Sequence, residues 1–220
     1  TSRNLGLLDD LTGTRKLTEA EISRIQEQYE REESCYLPRP RIIFLGNLSM
    51  RHAAEEASHH INFVLCKDTS SPKSPIENFY ETTIRECLGY LGTKIVDHNR
   101  RPLGLKDIDR ILEDLEEGYS HPFHDETRES LLATRRFLKL LSSEKTPSAM
   151  DFLPAETNAE IISGSAHLIG YLLGDGIYNG LMEGRILRSE VCQLFSESLA
   201  KPNSGSQLFE AWILRAKPQA

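Results

Sequence analysis

The chain lacks most of the signatures that disclose a function at sight. Only four cysteines occur in 220 residues, Cys35, Cys66, Cys87 and Cys192, and none forms a CxxC pair. Scattered thiols in a chain of this length read as reduced and mostly buried, which points to a cytoplasmic protein. No apolar run approaches the ~20 residues that span a bilayer. The longest, residues 161–173, is interrupted by His167 and several small residues. The phosphate-binding loop pattern GxxxxGK followed by Ser or Thr is absent, which argues against the usual nucleotide chemistry. Neither a Ser-His-Asp nor a Cys-His arrangement can be read from residue order, and no repeat of solenoid period is visible. Positive charge is also in deficit. The formal net charge of −7 argues against the broad phosphate-neutralising surface of a general nucleic-acid binder, although Lys94, Arg100, Arg101 and Lys106 lie close together.

What is present is a chain of helices. Hydrophobic residues make up 39% and charged residues 27%, an ordinary balance for a chain long enough to bury a core. Residues 1–16 have little periodicity and read as an N-terminal arm, leaving 17–220 as one globular domain with an internal boundary to be expected, if anywhere, at 142–156. Thr18 and Glu21 have capping-box spacing, and Ile22, Ile25 and Tyr29 give the following charged helix a narrow apolar stripe. Residues 41–45 form an apolar run of strand length that ends at Gly46-Asn47, a good strand-to-helix turn. Residues 93–96 read as a short strand, and 208–216 fit a closing strand or a short helix. Helical periodicity covers 76–91, 105–117, 126–141, 157–181 and 187–200. The expectation is a mainly α protein with a small β-sheet, α/β or α+β, of about seven helices and one to three strands.

The chemistry concentrates on one helix. At 100° per residue, Met50, Ala54, Ala57, Ile61, Val64 and Leu65 share an apolar face, while His52, Glu55, Glu56, His59 and Phe63 fall opposite. An aromatic among charges indicates that this second side is covered or lines a cleft. Glu56 and His59 are three apart and Glu55 and His59 four apart, so either pair can chelate one ion, and ExxH is the spacing of carboxylate dimetal bundles. A second ExxH is missing. The zinc-peptidase pattern HExxH needs His at position 55, its inverted form HxxEH needs His at position 56, and both positions hold Glu. No family resemblance emerges.

Glu56 and His59 are therefore candidate metal ligands, with His121 and His124 of the HPFHDE segment as donors from elsewhere, and His52 and Glu55 are candidate proton carriers. The implied cofactor is a divalent Zn, Fe or Mn ion. If residues 41–45 belong to a parallel sheet, His52 sits where ligands gather, beyond a strand's carboxyl end. In the glycine-rich segment 164–178, His167, Tyr171 and Tyr178 share a face with Glu160, opposite Ile162, Ile169 and Leu173; its glycines fit close helix packing better than ligand contact. Two functions are compatible with these residues. One is a metal-dependent hydrolase or redox enzyme with a His/Glu-lined cleft. The other is a non-catalytic scaffold that docks a protein partner, or a second copy, through residues 18–34.

Overall fold

The computed structural model describes residues 18–30, 35–37, 42–44, 50–65, 74–118, 127–142, 146–200 and 205–216. Among them are nine helices: α1 (Glu19–Glu30), α2 (Met50–Leu65), α3 (Pro75–Val96), α4 (Leu105–Glu116), α5 (Arg128–Leu141), α6 (Ala149–Phe152), α7 (Ala159–Met182), α8 (Arg188–Ala200) and α9 (Gly205–Ala216). None is long and apolar enough to cross a membrane.

The helices start where side chains can satisfy exposed backbone amides. The expected capping box opens α1: Thr18 N donates to Glu21 Oε2 (2.7 Å) and Glu21 N to Thr18 Oγ1 (3.3 Å). Ser74 and Glu77 repeat that arrangement at α3, with Pro75 at the first helical position. Asn158 caps α7 through a 2.8 Å bond from Ile161 N.

The expected α/β or α+β fold with a small sheet is corrected by this arrangement: the protein is helical. Residues 42–44 pair antiparallel with 35–37 over three residues each, a ladder too short to form a layer of the fold. Among the described residues the only ladder is this antiparallel one, so His52 does not lie beyond the carboxyl end of a parallel strand. Residues 93–96 are the last turn of α3, where the Thr93 hydroxyl donates back to the Gly89 carbonyl (3.2 Å). The C-terminal segment is helical because Leu208, Phe209, Trp212, Ile213 and Ala216 recur with helical period and are all buried. With α6 and α9 added, the expected seven helices become nine.

The centre of the molecule is the long pair α3 and α7. Glycines set how closely they meet. A Cβ on Gly170 would lie 2.5 Å from Glu86 Cβ and 2.8 Å from the Thr83 carbonyl; one on Gly174 would lie 2.9 Å from the Cys87 carbonyl. The preference for packing over ligand contact thus matches the structure, and α7 runs unbroken through Gly174 and Gly176. On one flank of the pair, Phe79, Phe137, Phe152, Phe209 and Trp212 form the core with Ile169, Leu173 and Ile177. Phe79 meets Phe152 and Phe209 edge-on at centroid distances of 5.6 and 5.7 Å. Ala149 and Phe152 of α6 belong to this cluster, and Ala149 N donates to the Tyr80 hydroxyl at 3.2 Å. A second cluster joins α4 and α5 to Leu168 through Ile108, Ile111, Leu112 and Leu131.

Helix α2 lies on α3, with an orientation opposite to its hydropathy. Met50 and Ile61 of the apolar face are 74% and 48% exposed, whereas Glu55 of the polar face is 8% exposed. Gly89 and Gly92 make the seat. Their Cβ atoms would fall 2.8 Å from the His59 ring and 2.1 Å from Ser58 Oγ.

Two substitutions measure these contacts. Gly170→Ala should destabilise by about 1–3 kcal/mol through overpacking, even though alanine favours a helix by about 1 kcal/mol. Phe79→Ala should lose about 3–5 kcal/mol. Both are read from denaturant midpoints, and a neutral Gly170→Ala would contradict the close contact of α3 with α7.

Candidate functional site

Three helices and one loop converge on Glu55. Its Oε1 accepts a tight hydrogen bond from the Tyr171 hydroxyl of α7. Its Oε2 accepts from Arg100 Nη1 (3.2 Å), in the loop after α3, and faces Thr93 Oγ1 at 3.5 Å. Burial acts to raise the pKa of Glu55, but the Arg100 charge, the Tyr171 hydrogen bond and His167 outweigh it and hold the carboxyl below its ordinary range. Glu55 is therefore a buried anion kept ionised by its partners.

Arg100 is itself tightly placed. Its backbone carbonyl accepts from Lys94 Nζ (2.7 Å) and from the Tyr90 hydroxyl (3.1 Å). Its guanidinium lies over the rings of Tyr171 and Tyr90, at 4.7 and 5.2 Å from their centroids. Lys94, 3% exposed, pairs with Asp175 of α7 at 2.9 Å and sits 4.8 Å from the Tyr178 centroid. The polar stripe expected on α7 thus faces this site through His167, Tyr171 and Tyr178, while Glu160 is exposed.

One turn along from Glu55, His59 and Glu86 complete the cluster. Ligand atoms of Glu55, His59 and Glu86 all lie within 4.8 Å of one another. His59 Nε2 is 3.8 Å from Glu86 Oε2, and His167 Nδ1 approaches the same oxygen at 4.0 Å while its ring packs on Tyr171 at 4.3 Å. Burial lowers the His59 pKa, with Arg85 adding to the effect against Glu55, so the ring is neutral and keeps a lone pair at pH 7. Burial, then the neighbouring charges of Glu55 and Glu56, push Glu86 up to about 8, against the opposing charge of Arg85. At neutral pH Glu86 holds a proton that a cation would displace.

The candidate residues sort as follows. Glu55 and His59 are in the cluster. Glu56 acts on Glu86 through its charge but is not one of the three convergent groups. His52 lies on the same helix, where burial lowers its pKa and both Glu55 and Arg100 act on it. His121 and His124 lie outside the described residues, as does the side chain of Phe63. Sequence reasoning missed Glu86 altogether, because it stands among the other charged residues of its helix, Glu77, Glu81, Arg85 and Lys94, with no spacing motif to single it out. Arg100 was visible only as part of a basic run. No family model, no curated protein and no solved structure matches the chain.

The Glu86 proton has a signature in stability. A carboxyl whose folded pKa is raised contributes stability that is complete below the unfolded value and is lost as pH rises through the folded value. Glu86 therefore costs the metal-free protein stability between 4.5 and about 8. His52 and His59 have lowered values, so their contributions change below 6.5, and that of Glu55 changes below 4.5. From pH 6.5 to 8 the metal-free protein should lose up to about 1.4 kcal/mol per pH unit, a slope that Glu86→Gln abolishes. Urea melts across that window with chelator present provide the measurement; identical slopes in both proteins would remove the buried proton.

Proposed function

We propose that this is a metal-dependent helical enzyme in which Glu55, His59 and Glu86 hold one divalent ion. The observation that carries the proposal is the convergence of these three groups from α2 and α3. A carboxylate offers about four lone-pair positions, and among the described residues Glu55 Oε1 accepts one hydrogen bond, from Tyr171, so it can still ligate. Tyr171 and Arg100 would fix its orientation as supporting groups do in metal sites. The missing Cβ of Gly89 makes room for the His59 ring. Two carboxylates and one imidazole suit Zn, Mn or Fe, and three protein ligands leave the open positions of a catalytic rather than a structural site. Such an ion supplies Lewis acidity toward a bound oxygen, the chemistry of metal-assisted hydrolysis. His52, on the same helix and neutral at pH 7, is the candidate proton carrier.

A cytoplasmic setting suits the free thiols of Cys87 and Cys192. The competing scaffold reading has less support, because Ile25 of the α1 stripe is already covered within the chain at 3% exposure.

Untagged protein should carry close to one equivalent of Zn, Fe or Mn by elemental analysis and melt at lower temperature after chelation. His59→Ala and Glu86→Gln should each weaken metal affinity by at least ~100-fold with helical circular dichroism retained. Metal content unchanged in His59→Ala, or a wild-type protein that takes up no added metal, ends the proposal.

A further inference from the structure

Helix α7 meets the Glu55 cluster with a row of side chains spaced at four residues, His167, Tyr171, Asp175 and Asn179. Residues at i and i+4 lie on one helix face, and the members of this row take up different parts of the site. Tyr171 donates to Glu55 Oε1. Asp175 pairs with Lys94 at 2.9 Å, and Lys94 in turn donates to the Arg100 carbonyl. Asn179 supports Asp175 from behind, donating to its Oδ2 at 2.9 Å. His167 opens the row, beside Glu86.

On the reading that Glu55, His59 and Glu86 hold a divalent ion, the two carboxylates are unequally supported. A ligating carboxylate keeps lone pairs beyond the one on the metal, and donors to those fix its orientation. Glu55 has Tyr171 and Arg100 for this. Among the described residues two nitrogens approach Glu86 Oε2, His59 Nε2 at 3.8 Å and His167 Nδ1 at 4.0 Å. With Nε2 on the ion, His59 has no proton there to donate. His167 is not one of the three convergent groups, so it is not placed to share the ion. Its ring packs on Tyr171 at 4.3 Å, and its side chain is 42% exposed. Closing the gap from Nδ1 to hydrogen-bond distance takes a shift of about 1 Å.

We propose that His167 is a positioning residue of the metal centre, whose Nδ1–H donates to Glu86 Oε2 and aims that carboxylate at the ion as Tyr171 aims Glu55. A single turn of α7 then orients both carboxylate ligands and contributes no ligand itself.

Full-length protein titrated with cobalt(II) and followed by visible absorption provides the test. His167→Ala should weaken cobalt binding by at least about tenfold. Its urea midpoint without metal should stay at the wild-type value, because the side chain is only partly buried. His167→Asn keeps an N–H close to the place of Nδ1–H and should recover most of the affinity, which a packing role for the ring would not allow. At saturating cobalt all three proteins should show the same absorption bands, since no ligand has been removed. Cobalt affinity unchanged in His167→Ala, or no recovery in His167→Asn, overturns the inference and leaves the metal site standing. Altered bands in His167→Ala would make His167 a ligand, and a metal-free midpoint that falls with the affinity would make it structural; either result also rejects the positioning role. Cobalt affinity unchanged in His59→Ala removes the metal site, and the role of His167 with it.

Discussion

Helix α3 touches a helix on each side at a separation that side chains would forbid. Gly89 and Gly92 admit α2, and on the other flank Gly170 and Gly174 of α7 come against the α3 backbone. The consequence is geometric. Where two helices meet through glycine, the groups beside the contact are brought within reach of each other, which is how Glu86 comes to share one small volume with Glu55 and His59. The same closeness seats Tyr171 on Glu55 across two helix interfaces. Helix propensity is sacrificed at each glycine, and the burial of Phe79, Phe209, Trp212 and their neighbours offsets the loss.

Electrostatics in this volume are arranged as a chain of compensations. Asp175 balances the buried Lys94, which holds the Arg100 carbonyl; Arg100 balances Glu55; and Glu55 discourages ionisation of Glu86. Each member is buried or half-buried, so none can rely on water for its charge. The chain ends on the Glu86 carboxyl, which burial and the charges of Glu55 and Glu56 keep protonated against the opposing charge of Arg85. That open end is what a divalent ion would close.

How much of this was legible beforehand depends on what kind of signal each element carries. Capping residues and a 3.6-residue period are local, and so α1, α4, α5 and α7 could be read directly from Thr18, Glu21, Ile108, Ile111, Leu131, Phe137, Ile162 and Ile169. The apolar run at 42–44 resembles a sheet strand because β-branched residues crowd there, yet among the described residues it pairs only with 35–37. Residues 93–96 misled for the same reason: Thr93, Ile95 and Val96 favour strands, and what keeps them helical is tertiary, the burial of Thr93 and Lys94. The polar face of α2 was read as covered or lining a cleft from Phe63 among its charges, but the partners that bury Glu55 were not, because Arg100 and Tyr171 reach it from distant parts of the chain. Glu86 carries no local mark at all. Its role exists only once α2 and α7 have closed on either side.

Tyr171 and Glu55 are 116 positions apart in the chain, yet their hydrogen bond is part of what keeps the buried carboxylate tolerable. A growing chain that has emerged only as far as the loop after α3 holds Glu55 and Arg100 but not the phenol that shares the load, nor the Asp175 that steadies Lys94. The set of partners around Glu55 is therefore incomplete until the seventh helix arrives. A chain truncated before residue 175 should not be expected to retain a smaller, working version of the site.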